Sequence, residues 1–148
     1  MKQEEITKIV NKVYPLIIQD VLSYDFAGTY PEIEFHYNIY ERLSGTKGMT
    51  GEVQTHAEYD WSIKKIYLYT SKMKCEEDII RSLIHECVHS TQSKVIFDYY
   101  YEVHKYNYET HPYEIQARNA EENWKDYKFA EFDEWMNDLI KRNGTTEY

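Results

Sequence analysis

Proline and glycine are scarce in this chain, with three and five among 148 residues, and no repeat or low-complexity run interrupts it. Nothing marks a linker, and the length suits a single domain over 1–148 with its own core. Long apolar runs are missing too. The first stretch is too charged to cross a bilayer, and no apolar segment of signal-peptide type stands near Met1, so we expect a cytoplasmic protein with no membrane partner. Cysteine is limited to Cys75 and Cys87. Cys87 falls on an apolar stripe, the setting of a packed thiol in a reducing compartment rather than of a nucleophile. Positive charge is also short: 17 Lys and Arg face 26 Asp and Glu, a net charge of -9 with no basic cluster. A surface that tracks phosphates needs the opposite balance, which argues against nucleic acid as the primary partner.

What is present is His85-Glu86-Cys87-Val88-His89, an H-E-x-x-H match inside an apolar pattern of helical period. Ile79, Ile80, Leu83, Ile84, Cys87 and Val88 recur as pairs every four residues and make one broad buried stripe. Glu76, Glu77 and Asp78 stand just ahead, where carboxylates favour a helix N-terminus. Residues four apart on a helix share a face, with Cβ atoms about 5–6 Å apart, so His85 and His89 can close on one metal ion. Glu86 then projects beside the ion, placed to take a proton from a water that the ion acidifies. The chemistry implied is metal-assisted hydrolysis.

A catalytic zinc generally takes three protein ligands and leaves one position open. The segment His111-Pro112-Tyr113-Glu114-Ile115-Gln116-Ala117 reads as a second helix start, because proline suits the first helical position, where its missing N–H would be unpaired anyway. Glu114 falls in the first turn and is the favoured third ligand. Ala117 shares its face and is small enough to let this helix approach the motif helix closely. Tyr113, Ala117, Ala120, Trp124 and Tyr127 form the adjoining buried stripe. His111, Glu109, Glu121 and Glu122 also compete for the third position. Glu121 shares the face of Glu114 two turns on, Glu122 is turned away, and His111, biased to extended backbone by the proline after it, suits a helix cap or pocket residue better.

These residues resemble the small gluzincin-type zinc metallopeptidases, including short phage and bacterial proteins with minimal zincin domains. In that family a helix bears H-E-x-x-H and a second helix supplies a glutamate ligand, often in a P-x-E-x-x-A context, matched here by Pro112, Glu114 and Ala117. The resemblance covers roughly residues 60–125. Thr91 stands where related motifs usually have an apolar residue, and the Gly and third His of metzincins are absent after His89. The resemblance implies Zn²⁺ held by His85, His89 and Glu114, with Glu86 as general base, and a protein or peptide substrate. It also implies that an edge strand beside the motif helix binds substrate main chain, for which the 51–59 strand is the counterpart.

The rest of the chain reads as an α+β domain of zincin-like layout: an N-terminal helix, a small sheet, the motif helix, the third-ligand helix and a C-terminal helix. Ile6, Ile9, Val10, Val13, Leu16, Ile17 and Val21 predict an amphipathic helix over 3–22. Ile33, Phe35, Tyr37 and Ile39 alternate with polar residues as in a strand. Gly45, Gly48 and Gly51 mark a loop, and residues 51–59 and 63–69 predict further strands joined by a turn at Asp60. Phe132, Trp135, Met136 and Leu139 predict a packed terminal helix over 129–140. Between the ligand-bearing helices the chain is strongly aromatic. His104, Tyr106 and Tyr108 are the candidates there for oxyanion or substrate contacts. A zinc-stabilised interaction module without turnover is the alternative function. Glu86 separates the two readings, since a structural site needs no general base and usually fills all four positions with protein ligands.

Overall fold

The computed structural model describes residues 1–22, 30–44, 55–128 and 130–143. Helix α1 (Gln3–Leu22) turns Ile6, Val10, Val13 and Ile17 inward, because apolar residues three and four apart share one face, and its bounds are those its periodicity predicts. Strands β1 (Glu32–His36), β2 (Ala57–Asp60) and β3 (Lys65–Tyr69) form one sheet in the order β1-β3-β2. β1 runs parallel to the central β3 and β2 antiparallel to it. Ile66 and Leu68 of β3 are fully buried and meet Ile33 and Phe35 across the parallel pair. β2 pairs with β3 alone among the described residues and is an edge strand.

The alternation that predicts a strand as far as Ile39 stops at His36. Asn38 overrides it. Its Oδ1 accepts the Glu41 N–H at 2.8 Å, and the Glu41 carboxylate reaches back to the Tyr37 N–H at 3.4 Å. This reciprocal capping starts a short helix, α2 (Ile39–Ser44), in place of the last strand residues. Residues 51–54 of the predicted second strand, and the three loop glycines, lie outside the described residues. The predicted turn at Asp60 occupies 61–64, so β3 begins two residues later than the apolar pattern at Ile63. Asp60 Oδ1 accepts both the backbone N–H and the hydroxyl of Ser62, and Lys64 takes the left-handed conformation (φ 52°) that closes the turn.

A short 3₁₀ segment (Thr70–Lys72) leads to α3 (Glu76–Ser90), the motif helix. Its N-terminus is held by Asp78, whose carboxylate accepts the Lys74 N–H at 2.9 Å. Its C-terminus ends at Thr91, whose hydroxyl donates to the Val88 carbonyl at 2.6 Å. The same carbonyl accepts the Thr91 backbone N–H at 3.0 Å, so both polar groups of Thr91 close the helix end where an apolar residue is usual. Ile79, Ile80, Leu83 and Cys87 of α3 pack with Ile6, Val13 and Ile17 of α1 and with Ile66 and Leu68 of β3 in one core.

Ser93 caps α4 (Lys94–Glu102), a helix that the aromatic composition of this stretch did not announce. α5 (Pro112–Ala120) follows and continues as a 3₁₀ segment (Glu121–Tyr127). The stripe that predicts burial here is kept through the change of helix type: Ala117 and Tyr127 are buried and Ala120 and Trp124 pack against the core. The Tyr127 hydroxyl donates to Asp20 at 2.6 Å and ties this arm to α1. The terminal helix α6 (Ala130–Asn143) carries Met136 and Leu139 partly buried, whereas Trp135 is exposed. No helix among the described residues is long and apolar enough to cross a membrane.

Candidate metal centre

His85 and His89 lie one turn apart on α3 with ring centroids 4.7 Å apart. α5 packs against α3, and its Ala117 is fully buried in the core they share, where a larger side chain would crowd the two helices. The approach delivers Glu114, one turn earlier. Glu114 Oε1 lies 2.5 Å from His89 Nε2 and 3.7 Å from His85 Nε2. One ligand atom from each residue falls within 4.8 Å of the others, so His85, His89 and Glu114 form a group able to hold a metal ion.

The other nitrogen of each imidazole has its own acceptor. His85 Nδ1 donates to Glu121 Oε2 at 2.6 Å. His89 Nδ1 donates to Gln92 Oε1 at 2.7 Å, and the Gln92 amide is oriented because its NH₂ donates to the Tyr113 carbonyl and to Gln116 Oε1. With Nδ1 committed on both rings, Nε2 is the atom left to face Glu114. Partners of this kind set the tautomer and ring orientation of metal-ligating histidines. Sequence reasoning weighed Glu121 as a ligand and did not consider Gln92. Glu121 sits just past the end of α5 and Gln92 just past the end of α3, where helical periodicity no longer says which way a side chain faces.

Charge fits a cation. Burial favours the neutral form of His85, but Glu114 and Glu121 outweigh it and lift its pKa to about 10. Burial likewise works to raise that of Glu114, and the two histidines overcome it and bring the carboxyl down to about 2. The cluster therefore stabilises positive charge among its carboxylates. Glu86 is buried as well, 5% exposed, and burial pushes its pKa up. No donor among the described residues reaches its carboxylate. A buried carboxylate without a protein partner is costly unless something else satisfies it.

His111 is the N-cap of α5, not a ligand. Its Nδ1 accepts the N–H groups of Tyr113 and Glu114, and Nε2 donates to the Phe97 carbonyl at 3.0 Å. Both ring nitrogens are thus occupied, and the cap fixes the turn that carries Glu114. Glu122 pairs with Arg81.

The group lines a cavity of about 1320 Å³ whose opposite wall is β2 and the turn after it. Trp61 packs 5.7 Å from the His89 ring and 5.0 Å from Phe97, which is itself 5.5 Å from His89. The Trp61 indole N–H is held by the Gln92 carbonyl at 3.2 Å. These rings make an apolar wall around His89. Among the three aromatic-segment candidates, Tyr108 lines the cavity. His104 and Tyr106 stack on each other, centroids 5.7 Å apart, against Tyr99 and Tyr100, and are not part of that lining.

Comparison of the chain with protein-family models, with curated proteins and with solved structures finds no match.

Proposed function

We propose that the chain is a zinc metallopeptidase that hydrolyses peptide bonds with Glu86 as general base. The observation that carries this reading is the convergence of His85 Nε2, His89 Nε2 and Glu114 Oε1 beside a buried Glu86 to which no donor among the described residues reaches. Two imidazoles and one carboxylate are a donor set of catalytic zinc. When bound, the ion supplies Lewis acidity, acidifying water and polarising a carbonyl oxygen. His85, His89 and Glu114 would hold it, kept in orientation by Glu121 and Gln92.

The chain's own residues account for the remaining steps. Glu86 is one residue past His85 and so about 100° round the helix, beside the ion's ligands rather than among them. Its carboxylate accepts a proton from the attacking water and passes it to the amine as the C–N bond breaks. The water oxygen ends on the carbonyl carbon, and Glu86 returns to its starting state. The edge strand β2 offers unpaired backbone groups to an extended peptide. Trp61 and Phe97 shield the His89 side from water. Tyr108 is the cavity-lining phenol available to donate to an oxyanion.

A zinc-stabilised interaction module would be expected to fill the fourth position with protein and would have no use for a buried carboxylate at Glu86. The enzyme reading is tested by elemental analysis together with proteolysis of a proteome-derived peptide library. About one zinc per chain and cleavage abolished by chelation support it; metal-replete protein without zinc argues against it.

A further inference from the structure

The cavity wall carries four lysine or arginine side chains: Arg42, Arg81, Lys94 and Arg118. Three are neutralised within the protein. Arg42 pairs with Glu58 at 2.9 Å, Arg81 with Glu77 at 2.8 Å, and Lys94 with Asp98 at 2.8 Å. Arg118 differs. Its guanidinium donates to the backbone carbonyls of Tyr108 and Glu109, each at 2.9 Å, and lies 4.7 Å from the centre of the Tyr108 ring. No carboxylate pairs with it among the described residues.

Position makes this charge relevant. Arg118 is four residues after Glu114 on α5, so it shares the face of the third ligand one turn further along. The carbonyl bonds and the Tyr108 ring orient the guanidinium without cancelling its charge. Of the acids lining the cavity, Glu58 is engaged with Arg42, Glu121 with His85, and Asp60 with Ser62. In a chain of net charge -9, an oriented and unneutralised guanidinium in the cavity is a local exception to a field that repels anions. Guanidinium is also the group best matched to a carboxylate, through paired N–H donors.

We infer that Arg118 anchors a carboxylate of the substrate, so that the site prefers acidic peptides or free C-termini. The inference rests on the metallopeptidase reading and names its substrate class. A purely structural role for Arg118, pinning the 108–109 carbonyls, would affect neutral and anionic peptides alike.

The test reads binding rather than turnover. Zinc-loaded full-length Glu86→Gln protein is immobilised and offered a positional hexapeptide library in matched halves. One comparison sets free-acid against amidated C-termini, and the other sets Asp and Glu against Asn and Gln at each internal position. We expect carboxylate peptides to be retained about tenfold or more over their neutral partners. A preference for free-acid termini identifies the α-carboxylate as the anchored group, and a preference at one internal position identifies a side chain. Arg118→Gln on the same background should abolish the preference while neutral peptides bind as before. Arg118→Lys, which keeps the charge but not the fork, should leave part of it, and provides the readout should Arg118→Gln fail to fold. Equal retention of both halves, including no retention of either, overturns the inference, as does a preference that survives Arg118→Gln. Wild-type cleavage of the same library is scored separately. Cleavage without carboxylate preference leaves the hydrolase reading standing and removes this one; an Arg118-dependent preference without cleavage does the reverse.

Discussion

Glu121 Oε2 lies 2.6 Å from His85 Nδ1, on the side of the ring away from Glu114. On the proposed reading, the contact makes Glu121 a group that orients His85 rather than one that binds the ion itself. Loss of such a partner typically weakens metal binding by about 10–100-fold. Glu121→Ala should therefore lower zinc affinity in a chelator competition by about that factor, and Glu114→Gln should lower it further. Equal effects would mean that both carboxylates bind the ion directly.

Metal binding should stabilise the fold, because the ligands come from two helices that the ion would tie together. At free zinc about 100-fold above Kd, the native state gains about 2.7 kcal/mol. A thermal melt of the wild type should move upward on adding zinc and fall back with chelator. His89→Ala should show neither response.

Ala117 of α5 is fully buried in the core that it shares with α3. Ala117→Leu should cost about 1–3 kcal/mol in denaturant unfolding through overpacking. It should also weaken zinc binding, although residue 117 offers no donor atom, because Glu114 is carried away from the histidines. A destabilised variant with unchanged zinc affinity would show that α5 can shift without moving Glu114.

The two thiols should react differently. Cys75 is exposed, whereas Cys87 is fully buried beneath α1 and burial pushes its pKa up to about 12. Alkylation of native protein followed by mass spectrometry should label Cys75 alone, and unfolding should release Cys87.

How much of this was legible in the sequence depended on whether one periodicity ruled a segment. The bounds of α1 and the buried stripe of α3 follow from apolar spacing, which in α1 carries the helix through Pro15 despite the backbone donor that proline lacks. The start of α5 is visible because Pro112 and His111 are a helix start in covalent terms. The end of β1 was hidden because Ile39 keeps the alternation while Asn38 and Glu41 cap a helix, and the caps prevailed. Gln92, Glu121 and Trp61 stand beyond element ends, where direction is set by tertiary contacts such as Gln92 with Tyr113 and Gln116. Sequence spacing contains no record of those contacts. Arg118 was unremarkable for another reason: that it has no carboxylate partner among the described residues appears only once the partners of the other cavity cations are known.

The central claim is that Glu86 moves a proton while His85, His89 and Glu114 hold the ion. It is tested most directly by comparing wild type with Glu86→Gln at matched zinc content, measuring kcat/KM on a peptide that the wild type cleaves. The amide nearly preserves size and leaves the three ligand atoms untouched, so folding and zinc stoichiometry should be unchanged, while the rate should fall at least about 100-fold. Equal rates in the two zinc-loaded proteins would contradict the assignment of Glu86 and, with it, the mechanism.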